Sequence, residues 1–216
     1  RVQFALKPKW KRDIVFRAAA GTYHQPPFYR ELRDYNGNVN TQTKAQKSLQ
    51  IVSGIDYNFK GWGSRPFKLQ VEAYYKQLWD VVPYDVDNVR IRYLGGNIAK
   101  AYAAGIEARL FGEIVKDAES WLSVGLMRTR ENLENDQWFN YKLDSLGTPV
   151  DSSLVQGGWL RRPTDRFVTI GLFYQDYLAT NKNFKFSMNL LYGSNLPYNI
   201  PNSVKYRNAL VIDPYI

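Results

Sequence analysis

The sequence contains no cysteine. Disulfide staples, thiolate metal sites and cysteine nucleophiles are therefore excluded. It contains a single histidine, His24, through which any Ser-His-Asp or histidine–metal chemistry would have to run. No apolar run approaches the ~18 residues that a membrane-spanning helix requires. The opening residues, Arg1-Val2-Gln3-Phe4-Ala5-Leu6, offer neither the apolar segment nor the small-residue cleavage site of a signal peptide. They read as the end of a strand, so the chain is expected to begin mid-structure.

What is present is aromatic and basic. Aromatics make up 15% of the 216 residues, with 16 Tyr and 6 Trp. That suits interfacial belts or a binding surface as well as a core. The net charge is +9. The basic residues are spread over the chain without forming a stripe, which points to solubility and away from nucleic acid. Mean hydropathy is polar. That does not exclude a β-barrel, in which half of every strand can be polar.

The dominant pattern is alternation with period two, the mark of a strand with one apolar and one wet face. It is longest in residues 67–79. There Phe67, Leu69, Val71, Ala73 and Tyr75 share one parity, and Lys68, Gln70, Glu72, Tyr74 and Lys76 the other. A strand in a soluble sandwich runs about 5–6 residues. This one keeps its alternation for about ten, the length of a tilted membrane-spanning strand. The pattern recurs at 14–23, 47–59, 97–111, 121–128, 167–177, 184–192 and 204–212. With the strand end at the start, that makes about nine strands.

The connections are sorted by length. Short turns fall near 8–13, 60–66, 112–118 and 179–183, and long loops near 26–44, 80–96, 131–165 and 195–203. Outer-membrane barrels have short turns at one end and long loops at the other. Greek-key sandwiches give no reason for such sorting. The aromatics agree: Phe67 and Tyr75, and likewise Phe184 and Tyr192, lie eight residues apart on one face. Eight tilted residues span roughly 20 Å of height, close to the apolar band of a barrel. In each pair Phe lies by the short turn and Tyr toward the long loop, as two girdles require. An odd strand count suits a segment of a larger barrel, because an open sheet is not viable in lipid.

Several stretches resemble the barrel of TonB-dependent receptors of the Bacteroidetes type. They are Gly21-Thr22-Tyr23-His24-Gln25-Pro26-Pro27-Phe28-Tyr29-Arg30-Glu31-Leu32-Arg33, Lys44-Ala45-Gln46-Lys47-Ser48, Glu72-Ala73-Tyr74-Tyr75-Lys76 and Ala101-Tyr102-Ala103-Ala104-Gly105-Ile106-Glu107. Asn208 to Tyr215 resembles the approach to that family's last strands. The resemblance implies an all-β fold: about nine strands from the C-terminal part of a plugged 22-stranded, membrane-spanning antiparallel β-barrel. The whole of 1–216 would belong to that one barrel domain, without the N-terminal plug and the final strand. It implies active transport of a scarce extracellular ligand, such as a siderophore, glycan or peptide, across a Gram-negative outer membrane, with no enzyme activity and no cofactor. The implied partners are outer-membrane lipid and lipopolysaccharide, the plug, the TonB complex reached through an N-terminal segment and, in some relatives, a surface lipoprotein. The alternatives are an outer-membrane barrel enzyme of lipase or protease kind, and a soluble β-sandwich binding module.

Candidate residues follow from parity and loop position. Arg17, Asp56, Lys68, Glu72, Glu107 and Arg109 have wet parity. Inside a lumen they would form ion pairs, contact a plug or line a substrate route, with Glu107 and Arg109 the best placed for plug contacts. Tyr29, Arg30, Tyr35, Tyr84, Tyr93, Trp138, Tyr141 and Trp159 lie in the long loops. They would either receive ligand or pack loop on loop. His24, at a strand end before Pro26, reads as an interfacial or loop side chain. The acidic pairs Asp85/Asp87 and Glu134/Asp136 lack EF-hand spacing, so no metal site is expected.

Overall fold

The computed structural model describes residues 1–197 apart from 35, 88, 144, 146, 147, 179 and 180, and only the backbone at 87, 138–140, 143 and 182. The chain is all-β and antiparallel. The main sheet runs in the order β1 (Val2–Leu6), β2 (Asp13–Gln25), β3 (Gln46–Lys60), β4 (Pro66–Val81), β7 (Ala99–Val115), β8 (Ala118–Leu133), β12 (Val168–Leu178), β13 (Asn181–Gly193). β5 (Tyr84–Asp87) and β6 (Arg90–Tyr93) form a hairpin of their own, as do β9 (Gln137–Leu143) and β10 (Pro149–Gln156). β11 (Trp159–Arg161) adds to β8. Among the described residues the sheet does not close on itself, and β1 and β13 lie at its edges.

The expected strands form, and most run longer than their alternation. β8 was expected at 121–128 but extends to Leu133. Its outer half holds charged residues on both parities, which hides the alternation, and these charges find partners in the adjoining loop. The long loops expected at 80–96 and 131–165 contain the two hairpins and β11. The strand expected at 204–212 lies outside the described residues.

Antiparallel register makes the two faces explicit. One line across all eight strands reads Leu6, Phe16, Ile55, Val71, Ala108, Val124, Ile170, Tyr192. The next line, pointing the other way, reads Ala5, Arg17, Gly54, Glu72, Glu107, Gly125, Thr169, Gly193. The first is wholly apolar; the second holds charges and glycines. A one-residue slip of any strand would carry a charge into the apolar line, so the alternation also sets the register.

No second layer of the described residues covers the apolar face. Ile106 is 53% exposed and Phe184 64%, although both belong to it. The buried apolar cluster is small and lies elsewhere: Val81, Ala99, Ala101 and Leu133, with Leu78, Leu94 and Leu160 against them. It sits where the long loops meet the sheet. The first three long connections leave from that end, since Gln25 lies opposite Gln46, Leu78 opposite Ala101 and Lys100 opposite Asn132. The short turns lie at the other end.

Candidate functional site

The wet face carries an ion network across three strands. Arg17 on β2 donates to Asp56 Oδ1 on β3 at 2.7 Å and to Glu72 Oε1 on β4 at 2.8 Å. Gly54 lies between Arg17 and Glu72 in register. A Cβ there would stand 2.9 Å from Glu72 Cγ, so the glycine opens the path for the pair. Lys68 Nζ approaches Asp56 at 3.3 Å, and Gln70 Nε2 donates to it at 3.2 Å. Four of the six wet-parity residues named from sequence thus meet in one network. Glu107 and Arg109 stand apart from it. Glu107 lies directly opposite Glu72 and has no ion-pair partner among the described residues. Arg109 lies over the Phe111 ring, 5.6 Å from its centroid. Arg17, Glu72, Tyr74, Glu107, Arg109 and Arg166 line a cavity of about 430 Å³ on this face. Glu107 stands beside the Arg17-bound Glu72 without an ion pair of its own among the described residues, and like charges opposite each other repel, so this position suits a partner that brings positive charge or a hydrogen-bond donor.

The apolar face is bounded by aromatic rows. By the short turns, the rings of Tyr57, Phe59 and Phe67 stack at 5.1 and 5.7 Å. Phe67 lies over Gly112, where a Cβ would meet its ring at 2.2 Å, so this close approach requires glycine. By the long loops, Tyr75 stacks on Tyr102 at 6.3 Å, and Tyr102 meets Trp159 edge-on at 5.2 Å. Trp159, named from sequence as a loop side chain, is thus a member of the outer aromatic row.

The first two long loops are lashed together. Asn40 Nδ2 donates to the Gly95 carbonyl at 2.7 Å. Lys44 N donates to Asn97 Oδ1 at 2.6 Å, and Asn97 Nδ2 returns a bond to the Lys44 carbonyl at 3.0 Å. Gly95 has φ +70°, and a Cβ there would stand 2.8 Å from the Asp34 backbone. Between the two loops lies a cleft of about 770 Å³. Arg30, Arg33 and Asp34 line it from the first loop, and Arg90, Arg92 and Tyr93 from the second. Asp34 accepts from the backbone N–H of Asn36 and Asn38 and from the Asn38 side chain. These bonds, the Asn38 side chain first, hold its carboxyl below the usual carboxylate range. Burial, reinforced by Glu31, raises the Tyr93 hydroxyl above its ordinary value.

Of the loop residues named from sequence, Arg30 and Tyr93 share this cleft. Tyr84 pairs with Tyr93 across the hairpin, ring centroids 5.6 Å apart. Tyr29 is exposed, with the Arg33 guanidinium 5.1 Å from its ring centroid and donating to its hydroxyl. Tyr141 is exposed on β9, away from the cleft. Tyr35 and the Trp138 side chain lie outside the described residues. His24 is exposed near the end of β2, opposite Lys47. Among the described residues no three His, Cys, Asp or Glu side chains are placed to hold a metal ion.

Sequence reasoning missed Arg33, Arg90 and Arg92. The spacing Arg90-x-Arg92 on a short strand sets both on one face, but that signal needs β6 to be recognised first. It also missed a buried ion cluster at the base of the third loop. Asp165, fully buried, accepts from Arg161 Nε at 2.6 Å, from Thr129 N at 2.8 Å and from Arg128 at 3.4 Å. Arg162 Nε donates to the equally buried Glu131 at 3.1 Å. No family model, curated protein or solved structure matches the chain.

Proposed function

We propose that the chain is part of the wall of an outer-membrane β-barrel of the TonB-dependent receptor kind. Its long loops face outward and receive an extracellular ligand for transport. The observation that carries the reading is the pair of adjacent lines across eight strands, one wholly apolar and uncovered, the other charged. In water an apolar surface of that extent is strongly unfavourable, since soluble monomers rarely expose more than a few hundred Å² in one patch. In a bilayer it is the solvated surface. The aromatic rows at both ends of the face, and the sorting of turns from loops, agree with an interface at each end. The soluble-sandwich alternative requires a second layer over the apolar line, and among the described residues nothing covers it.

Passage by rearrangement of a plug, driven from the inner membrane, enters this reading from the resemblance to the receptor family. The residues that would meet a plug are Glu107, Arg109 and the Arg17–Asp56–Glu72–Lys68 network. Expression of the full protein in a Gram-negative host, followed by fractionation, tests the location. Recovery in the outer membrane, resistant to alkaline extraction, is expected. A folded β-protein in the soluble fraction would contradict it.

A further inference from the structure

We propose that the cleft between the first two long loops binds a soluble ligand that carries two or more oxyanion groups, carboxylate, sulfate or phosphate. The proposal deepens the reading above, on which it rests for the outward direction of the loops.

The lining carries four arginines, Arg30, Arg33, Arg90 and Arg92, and no lysine. A guanidinium offers a planar fork of donors that matches an oxyanion two bonds at a time, whereas an ammonium is a point charge. The protein's own acceptors are largely engaged. Asp34 is occupied by the Asn36 and Asn38 donors. Glu31 accepts from the Phe28 backbone N–H at 2.8 Å and from Gln46 Nε2 at 2.9 Å. Asp85, opposite Arg92 in the hairpin, is buried. Among the described residues Arg30 and Arg90 have no ion-pair partner, and both are exposed. Guanidinium donors are therefore in excess on both walls of the cleft.

The walls are also held in place before any ligand arrives. Arg33 is braced on Tyr29 by its ring and hydroxyl. Gly95 ties the second loop to the first through Asn40. Donors fixed in advance lose less freedom on binding, so more of each contact appears as affinity. The volume of about 770 Å³ suits a small ligand rather than a single ion. Tyr93 and Ile91 add apolar area beside the donors.

Calorimetric titration of the full chain in detergent micelles with pyrophosphate and with citrate tests the proposal. At least one should bind, more weakly as salt rises. The Arg30→Gln/Arg90→Gln double variant should weaken that binding by about tenfold or more, as expected for lost charged hydrogen bonds. Arg12→Gln, at the short-turn end, should leave it within about twofold. The proposal is overturned if neither anion binds, or if Arg12→Gln weakens binding as much as the double variant. It is equally overturned if the arginines matter only for binding phosphatidylglycerol vesicles and not for free anions. Lipid accessibility of the apolar face is measured separately. Lipid contact without anion binding would sink the cleft alone, and anion binding without lipid contact would sink the wall.

Discussion

At the scale of single residues, three positions hold the loop end together by different means. Gly95 does so through backbone freedom, since φ +70° and the 2.8 Å approach to Asp34 both disfavour a side chain. Gly95→Ala should cost about 1–3 kcal/mol of local stability, read as faster hydrogen exchange and protease cleavage in 26–45. Asp34 does so as a carboxylate acceptor. Its folded value is lowered, so its contribution is present above the ordinary carboxylate range. It is lost as pH falls through the lowered folded value. Proteolysis of the 34–38 turn should therefore accelerate only at acid pH, and Asp34→Ala should show the fast rate at neutral pH as well. Asp165 holds Arg161 and Arg128 at a buried site. Removing one partner of a buried pair costs about 3–5 kcal/mol, so Asp165→Ala should lower the unfolding midpoint strongly. Asp165→Asn, which can still accept from Thr129 N, should cost less.

At the scale of elements, the proposed function assigns the strands to the wall and recognition to the loops. On β4, Val71 lies between Ile55 and Ala108 in the apolar line, while Gln70 faces Asp56. Val71→Arg should cost about 2–4 kcal/mol near mid-bilayer. Gln70→Arg should cost under about 1 kcal/mol. Refolding into lipid vesicles reads both, and equal costs would contradict the face assignment. The eight sheet strands were legible because each is half apolar, and alternation survives wherever lipid or water faces one side. The hairpins in the loops were not legible. β5 and β6 span four residues each and are built on cross-strand pairs such as Tyr84 with Tyr93, and such pairs leave no periodic trace. The outer half of β8 was hidden for the opposite reason: Arg128, Arg130 and Glu131 sit on both parities because loop partners satisfy them. The cleft was half legible. Arg30 and Tyr93 stood out by type and position, but Arg33, Arg90 and Arg92 matter only once the first long loop is folded against the second.

At the scale of the molecule, the sheet has almost no interior. Its buried apolar cluster sits at the loop end, and no described residue covers its broad apolar face. Such a sheet is stable only if something apolar wets that face, and among the described residues β1 and β13 each leave a strand edge to be paired. The absence of native cysteine makes the decisive measurement clean, since single cysteines can be introduced and labelled without background. Fluorescent labels at Leu69, Ile106 and Leu190, all on the apolar face, are compared with labels at Lys68, Glu107 and Asn189 in protein reconstituted in bilayers. The first three should be quenched by a lipid-attached quencher and spared by an aqueous one, with the second three showing the reverse. Equal quenching of both sets, or apolar-face labels reached by neither quencher, would contradict a lipid-facing wall.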